Sequence, residues 1–143
     1  LRSTGDLEID AHHTIEDVGI VLGQSVAEAL GDKRGIARYG CSYVPMDEAL
    51  ARCVVDISGR PHLSYRVETG EAMVGGISVR LMREFFQALV NSARVTLHVD
   101  LLEGQEAHHC FEAVFKAFGR ALDTAVRKDA RCEDVPSTKG MMD

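Results

Sequence analysis

Residues 11–16 read A-H-H-T-I-E and residues 107–112 read A-H-H-C-F-E, the same phrase 96 positions apart. The correspondence runs on past the motif. Gly23 falls on Gly119 and Ala29 on Ala125. The apolar series Ile15, Val18, Leu22, Val26, Leu30 falls on Phe111, Val114, Phe118, Leu122, Val126. Both series step by three and four residues, the spacing of one helix face. Each copy is therefore expected to be a buried amphipathic helix whose first turn carries two histidines and a glutamate.

That first turn is suited to metal. His12 and Glu16, like His108 and Glu112, are four apart; His13 and Glu16, like His109 and Glu112, are three apart. Each pair can meet on one side of a helix. Adjacent histidines diverge by roughly 100° around a helix of 3.6 residues per turn, so one doublet suits two different ions better than one. Two such turns could complete a pair of sites. The donors are nitrogen and oxygen, with no thiolate. A single turn of this kind would more often be a cap or a solvated polar surface. Two on corresponding helices, holding four of the six histidines, favour metal binding.

The 143 residues suit one domain, or two small halves sharing a core. A net charge of −6 argues against general binding to nucleic acid or anionic membrane. No apolar run approaches the roughly 20 residues of a membrane span, and L-R-S-T-G-D does not read as a signal peptide. Cys41, Cys53, Cys110 and Cys132 are scattered, without a CxxC pair, which fits reduced thiols in a cytoplasmic protein. Cys110 falls on the side of its helix away from the His-Glu pair and reads as packing.

Outward from the two motifs, residues 1–10 read as a strand leading into a helix over 12–30, which Gly31-Asp32 would end. A basic loop, 33–40, precedes a strand over 39–44. Pro45-Met46-Asp47-Glu48 interrupts, and 49–58 is a strand. Gly59-Arg60-Pro61 then turns the chain into a strand over 62–67, which is expected to form a hairpin with it. Residues 68–76 connect to a helix over 79–91. A strand over 95–102 sets Thr96, His98 and Asp100 on the face opposite Val95, Leu97 and Val99. The second motif helix runs to about 127, and 128–143 is an irregular polar tail. The organisation expected is 1–35 as the back of a first repeat, 36–128 as a second repeat, and 129–143 as a tail. The second motif helix follows strands and a helix; the first follows one strand only. A true duplication then implies that leading strands and a helix belong before residue 1, supplied by a longer chain or another segment.

Groups for an anionic substrate are scattered. Arg38 and Arg60 follow glycine-containing loops, Lys116 lies one turn beyond Glu112, and Ser137, Thr138 and Lys139 sit in the tail run P-S-T-K-G. Arginine forks and a lysine beside hydroxyls suit phosphate. Taken singly, each is more often a solvated surface group. Asp47 and Glu48 fit either catalytic carboxylates or turn residues, His62 is ambiguous, and His98 reads as structural. Glu84, on the helix before the second motif and away from its apolar stripe, fits either a metal ligand or a solvated face.

Six segments in order resemble imidazoleglycerol-phosphate dehydratase. They are G-D-L-E-I-D-A-H-H-T-I-E-D-V-G (5–19), L-G-D-K-R-G-I (30–36), V-P-M-D-E-A-L (44–50), D-I-S-G-R-P (56–61), A-H-H-C-F-E-A-V-F-K-A (107–117) and P-S-T-K-G (136–140). The resemblance implies an α+β fold built of a duplicated unit, each half a four-stranded sheet with two helices, the first half truncated here. It implies two manganese ions per active site, held by His12, His13, Glu16, His108, His109 and Glu112. It implies that Arg38, Arg60, Lys116, Ser137 and Lys139, with Thr138 between, hold the substrate, mainly its phosphate. It implies a homo-oligomer, usually of 24 subunits, with active sites between subunits. Two departures stand out. The front segment with a Phe-Asp-His-Met motif is absent, and Glu84 stands where a histidine ligand often does.

The reaction so implied is metal-dependent dehydration of imidazole glycerol phosphate to imidazole acetol phosphate in histidine biosynthesis. Two metals would hold both ring nitrogens and stabilise a di-metal-bound imidazolate, while a carboxylate, Glu16 or Glu112, moves the proton. Two other readings remain open on sequence alone. One is a dinuclear metal-dependent phosphohydrolase; the other is an inactive metal-binding fragment or assembly module.

Overall fold

The computed structural model describes residues 2–140 and 142. Its elements in order are α1 (His12–Leu30), β1 (Tyr39–Met46), β2 (Ala49–Asp56), β3 (His62–Arg66), β4 (Met73–Val74), β5 (Ile77–Ser78), α2 (Arg80–Ala93), β6 (Thr96–Glu103) and α3 (Ala107–Val126). Four strands form one sheet in the order β1-β2-β6-β3, and β4 pairs β5 separately.

Alternation explains how the sheet faces its core. Along β2, Ala49, Ala51, Cys53 and Val55 are buried while Leu50, Arg52, Val54 and Asp56 are half-buried, the period-two signature of a strand covered on one side. The cover is α3, which packs along β1 and β2, with α2 over β3 and α1 against α2. Contact is close where side chains vanish. A Cβ on Gly40 of β1 would lie 1.8 Å from the Ala121 carbonyl oxygen of α3. A Cβ on Gly19 or Gly23 of α1 would lie 2.5 Å from the backbone oxygen of Phe85 or Leu89 of α2. Phe86 is fully buried among Phe85, Phe115 and Phe118, with ring centroids 5.1–5.5 Å away.

All three long helices fall where their apolar periodicity places them. Three expectations need correction. Residues 2–10 form no strand; Leu7–Ile9 is a turn, closed by the Ile9 N–H donating to the Asp6 carbonyl at 2.8 Å. Among the described residues no neighbouring strand pairs with that segment. Second, β2 and β3 are not a hairpin: β6 lies between them, antiparallel to β2 and parallel to β3. The hairpin is β1–β2, turned by Asp47 and Glu48, with Asp47 at φ +47°. β3 reaches its parallel neighbour through the α2 crossover, the connection that parallel strands require. Third, the connection over 68–76 holds its own small hairpin, β4–β5, whose two turn residues Gly75 and Gly76 both have positive φ.

Candidate metal and substrate site

Both doublets lie at one end of the molecule. β6 delivers the chain to α3, so the α3 N-terminus sits beside the start of β2. Residues 19 and 23 of α1 meet residues 85–88 and 89–93 of α2 in the same sense, so the two helices run alike and their N-termini share that end.

The first turn of α3 is fixed by three carboxylates. Glu106 is its N-cap and accepts the N–H groups of His108 and His109 at 2.9 and 2.8 Å. Glu71 accepts the Ala107 N–H at 3.2 Å. Glu48 reaches over from the β1–β2 turn. One of its oxygens accepts the N–H groups of Gln105 and Glu106, and the other lies 2.8 Å from His109 Nδ1. The His109 contact, helped by the Glu106 N–H, holds the Glu48 carboxyl down at about 2, and Glu48 in turn raises His109. His109 Nε2 then lies 3.6 Å from Glu106 and 3.7 Å from Asp47. The neighbouring ring of His108 has Nε2 3.3 Å from Glu112. Lys116 bonds the other Glu112 oxygen at 2.5 Å and lowers that carboxyl.

α1 repeats this on a looser frame. His12 Nε2 is 3.9 Å from Glu16, and His13 Nδ1 is 3.0 Å from Asp6, which raises the His13 pKa. In both doublets the two rings stand edge to face, at 79° and 64° between planes, with centroids 6.0 and 6.3 Å apart. Among the described residues, no three His, Cys, Asp or Glu side chains are grouped to hold a metal ion. Each doublet within one chain offers a His-Glu pair and stops there. Glu84 does not join either; it lines a cleft with Tyr65, Arg66, Val79 and Phe111, 3.7 Å from Arg83.

The phosphate-type groups divide between the two ends. Lys116 stands with the second doublet. Arg38, Arg60 and the tail gather at the far end of the sheet. Arg38, at φ +73°, donates from Nε and Nη2 to Asp56 at 2.8 and 3.3 Å, and from Nη1 to the Pro136 carbonyl at 2.7 Å. That carbonyl contact anchors the run containing Ser137, Thr138 and Lys139, and Ser137 Oγ accepts the Lys139 N–H at 3.2 Å. Arg60 follows the end of β2 and is exposed. Seven residue-to-residue steps along β2 separate Ala49, at the doublet end, from Asp56, a distance of roughly 23 Å at about 3.3 Å per step.

Sequence reasoning left Glu48 undecided and passed over Asp6, Glu71 and Glu106. Only Glu106 carried a local signal, an acceptor immediately before a helix start. Glu48 and Glu71 reach α3 through the fold, across 61 and 36 positions.

Residues 1–122 match the family model described as imidazoleglycerol-phosphate dehydratase. The chain is 57% identical over 143 residues to the imidazoleglycerol-phosphate dehydratase of Nitrosococcus oceani, covering 99% of this chain and 73% of that one. It also resembles the crystal structure of that enzyme from Staphylococcus aureus, with a TM-score of 0.81 and 51% identity over 84% of this chain and 70% of that one. The Pyrococcus furiosus crystal structure matches with a TM-score of 0.81 and 39% identity, covering 91% and 70%.

Proposed function

The chain belongs to the imidazoleglycerol-phosphate dehydratase family, and from that premise we propose that its two histidine doublets hold two manganese ions for the dehydration of imidazole glycerol phosphate to imidazole acetol phosphate. Hydro-lyase activity in histidine biosynthesis comes with the family.

The donors present fit such an ion. Each doublet supplies imidazole nitrogen and carboxylate oxygen, a set suited to manganese and without thiolate. The ligands would be His12, His13 and Glu16 from one turn and His108, His109 and Glu112 from the other, with Glu84 as a further candidate. When bound, two such ions supply Lewis acidity to the two ring nitrogens of the substrate.

The chain's own residues do the rest. On this reading Glu16 or Glu112 takes or returns the proton at the side-chain carbon. Lys116 keeps Glu112 ionised, and an ionised carboxylate can accept a proton. Arg60, Ser137, Thr138 and Lys139 would take the phosphate, with Arg38 holding the tail against β2 through Pro136.

One observation carries the further reading that the site is shared. The doublets and the Arg38-Arg60-tail group stand at opposite ends of one sheet. An imidazole, a three-carbon chain and a phosphate cannot span that length. On this reading the phosphate end of one copy serves the doublet end of another, within a homo-oligomer for which 24 subunits is the expected count. Subunit mixing tests this. Arg60→Ala and His108→Ala proteins, each inactive alone, should regain dehydration when dissociated and reassembled together. Mixed assemblies that stay inactive would contradict a shared site. Release of inorganic phosphate in place of the dehydrated phosphoester would favour a phosphohydrolase.

A further inference from the structure

We propose that Glu48 is a positioning residue for the dehydratase. It fixes the proton of His109 on Nδ1 and so leaves Nε2 free to bind metal. Asp6 does the same for His13. The inference rests on reading the second histidine of each doublet as a metal ligand.

The geometry is specific. Glu48 occupies the two-residue turn between β1 and β2, and its carboxylate is gripped from one side. Two backbone N–H groups, of Gln105 at 3.4 Å and Glu106 at 3.1 Å, donate to one oxygen. The other oxygen is thereby aimed at His109 Nδ1, 2.8 Å away. A carboxylate only accepts, so Nδ1 must carry the proton and Nε2 the lone pair. A metal-bound imidazole is commonly oriented this way, by an acceptor on its far nitrogen. His109 so held is 28% exposed against 69% for His108, which contacts Glu112 through Nε2. In the other doublet the order is reversed, His13 at 66% and His12 at 44%, so the two share the hydrogen bond and not the burial.

The duplicate supplies an independent instance. His13 is the repeat equivalent of His109, and its Nδ1 lies 3.0 Å from Asp6. Glu48 comes from a strand turn, Asp6 from the segment before α1. Two unrelated stretches of backbone thus bring an acid to the same nitrogen of the same repeat position. Neither acid lies in the repeated phrase.

Replacing Glu48 by glutamine should invert the arrangement. The amide oxygen stays with the two backbone donors, and the NH₂ turns to His109. Nδ1 then becomes the acceptor, the proton moves to Nε2, and the metal loses its lone pair. The test uses the whole chain with histidines labelled in nitrogen-15. Two-bond proton–nitrogen correlation is recorded in chelator, at a pH where the rings are neutral. The wild-type protein should show His109 and His13 protonated on Nδ1; protons on Nε2 would overturn the proposal, whether or not any variant folds. In Glu48→Gln the His109 proton should move to Nε2. Affinity for Mn2+, followed by the electron paramagnetic resonance of the free ion, should fall about 10–100-fold. Glu48→Asp keeps the carboxylate and should lose less. Equal losses in both variants would mean that Glu48 merely caps α3, and would overturn the positioning role. Mn2+ binding lost in His109→Ala but untouched, with the tautomer, in Glu48→Gln would overturn this inference alone. Binding indifferent to His109→Ala would overturn the metal reading as well.

Discussion

Gly23 and Gly119 occupy the same position of the two repeat helices, yet they meet opposite surroundings. A Cβ at Gly23 would lie 2.5 Å from the Leu89 carbonyl oxygen, 2.7 Å from Ser92 Cβ and 3.0 Å from the Ala93 nitrogen; at Gly119 it would meet nothing within 4 Å. Replacing either by alanine gains up to about 1 kcal/mol of helix propensity. Only Gly23→Ala must also push α1 off α2, by roughly 0.9 Å to restore ordinary contact with the Leu89 oxygen. Overpacking costs typically about 1–3 kcal/mol, and the upper part applies here because two of the three obstacles are backbone. Gly119→Ala is thus expected to stabilise the chain by about 0.5–1 kcal/mol and Gly23→Ala to destabilise it by about 1–2. With a urea m-value of about 2 kcal/mol/M, the two midpoints should stand about 1 M apart, on either side of wild type. Activity should follow the geometry. His12 lies eleven residues up the same helix, and an ångström of misplacement can cost up to about 10²-fold in rate. Gly23→Ala should lower kcat and Gly119→Ala should not. Equal midpoint shifts in one direction would refute the close α1–α2 crossing.

Phe86→Ala should cost about 3–5 kcal/mol by urea denaturation, because the ring is fully buried among three other phenylalanines. Arg38→Met should cost about 2–3 kcal/mol and loosen the tail, read as faster amide exchange over 134–140. It strands Asp56, whose side chain is 21% exposed, which discounts the roughly 3–5 kcal/mol of a fully buried broken pair. In metal-free protein, the Glu48–His109 pair should stabilise the fold only within a pH window. The lowered Glu48 contributes above its unfolded value of 4.5 and fades as pH falls toward about 2. The raised His109 contributes fully below 6.5 and fades as pH climbs through its folded value. The Tm difference between wild type and Glu48→Gln in chelator should therefore peak between about 4.5 and 6.5. A difference that does not vary with pH would show that the pair is not ionised.

Periodicity made the helices legible. The apolar stripe of α1 and α3 is long and regular, and the structure keeps their starts at His12 and Ala107. Pairing was harder to see. The strand β3 follows β2 through a short Gly-Arg-Pro turn, which looks local, yet β6 takes the place between them from more than thirty residues downstream. Nothing in the residues 49–67 announces that insertion. The site divides the same way. Its repeated histidines and glutamates announce themselves by spacing, and the two basic ends by motif. Glu48 shows only as a carboxylate in a turn and Glu71 not at all, because they meet α3 across 61 and 36 positions through the fold. Asp6 meets His13 across seven positions, through a turn in a stretch that reads as a strand. Glu84 lies beside a cleft, 3.7 Å from its sequence neighbour Arg83, and stays a candidate ligand.

The most direct test is a manganese titration of dehydration itself. Protein stripped with chelator is assayed on imidazole glycerol phosphate as Mn2+ is restored, alongside His12→Ala and His108→Ala. Turnover should appear only with the metal, at two ions per active site, and each variant should lose both metal and activity. Undiminished turnover by the stripped protein, or variants that bind and react like wild type, would contradict the account.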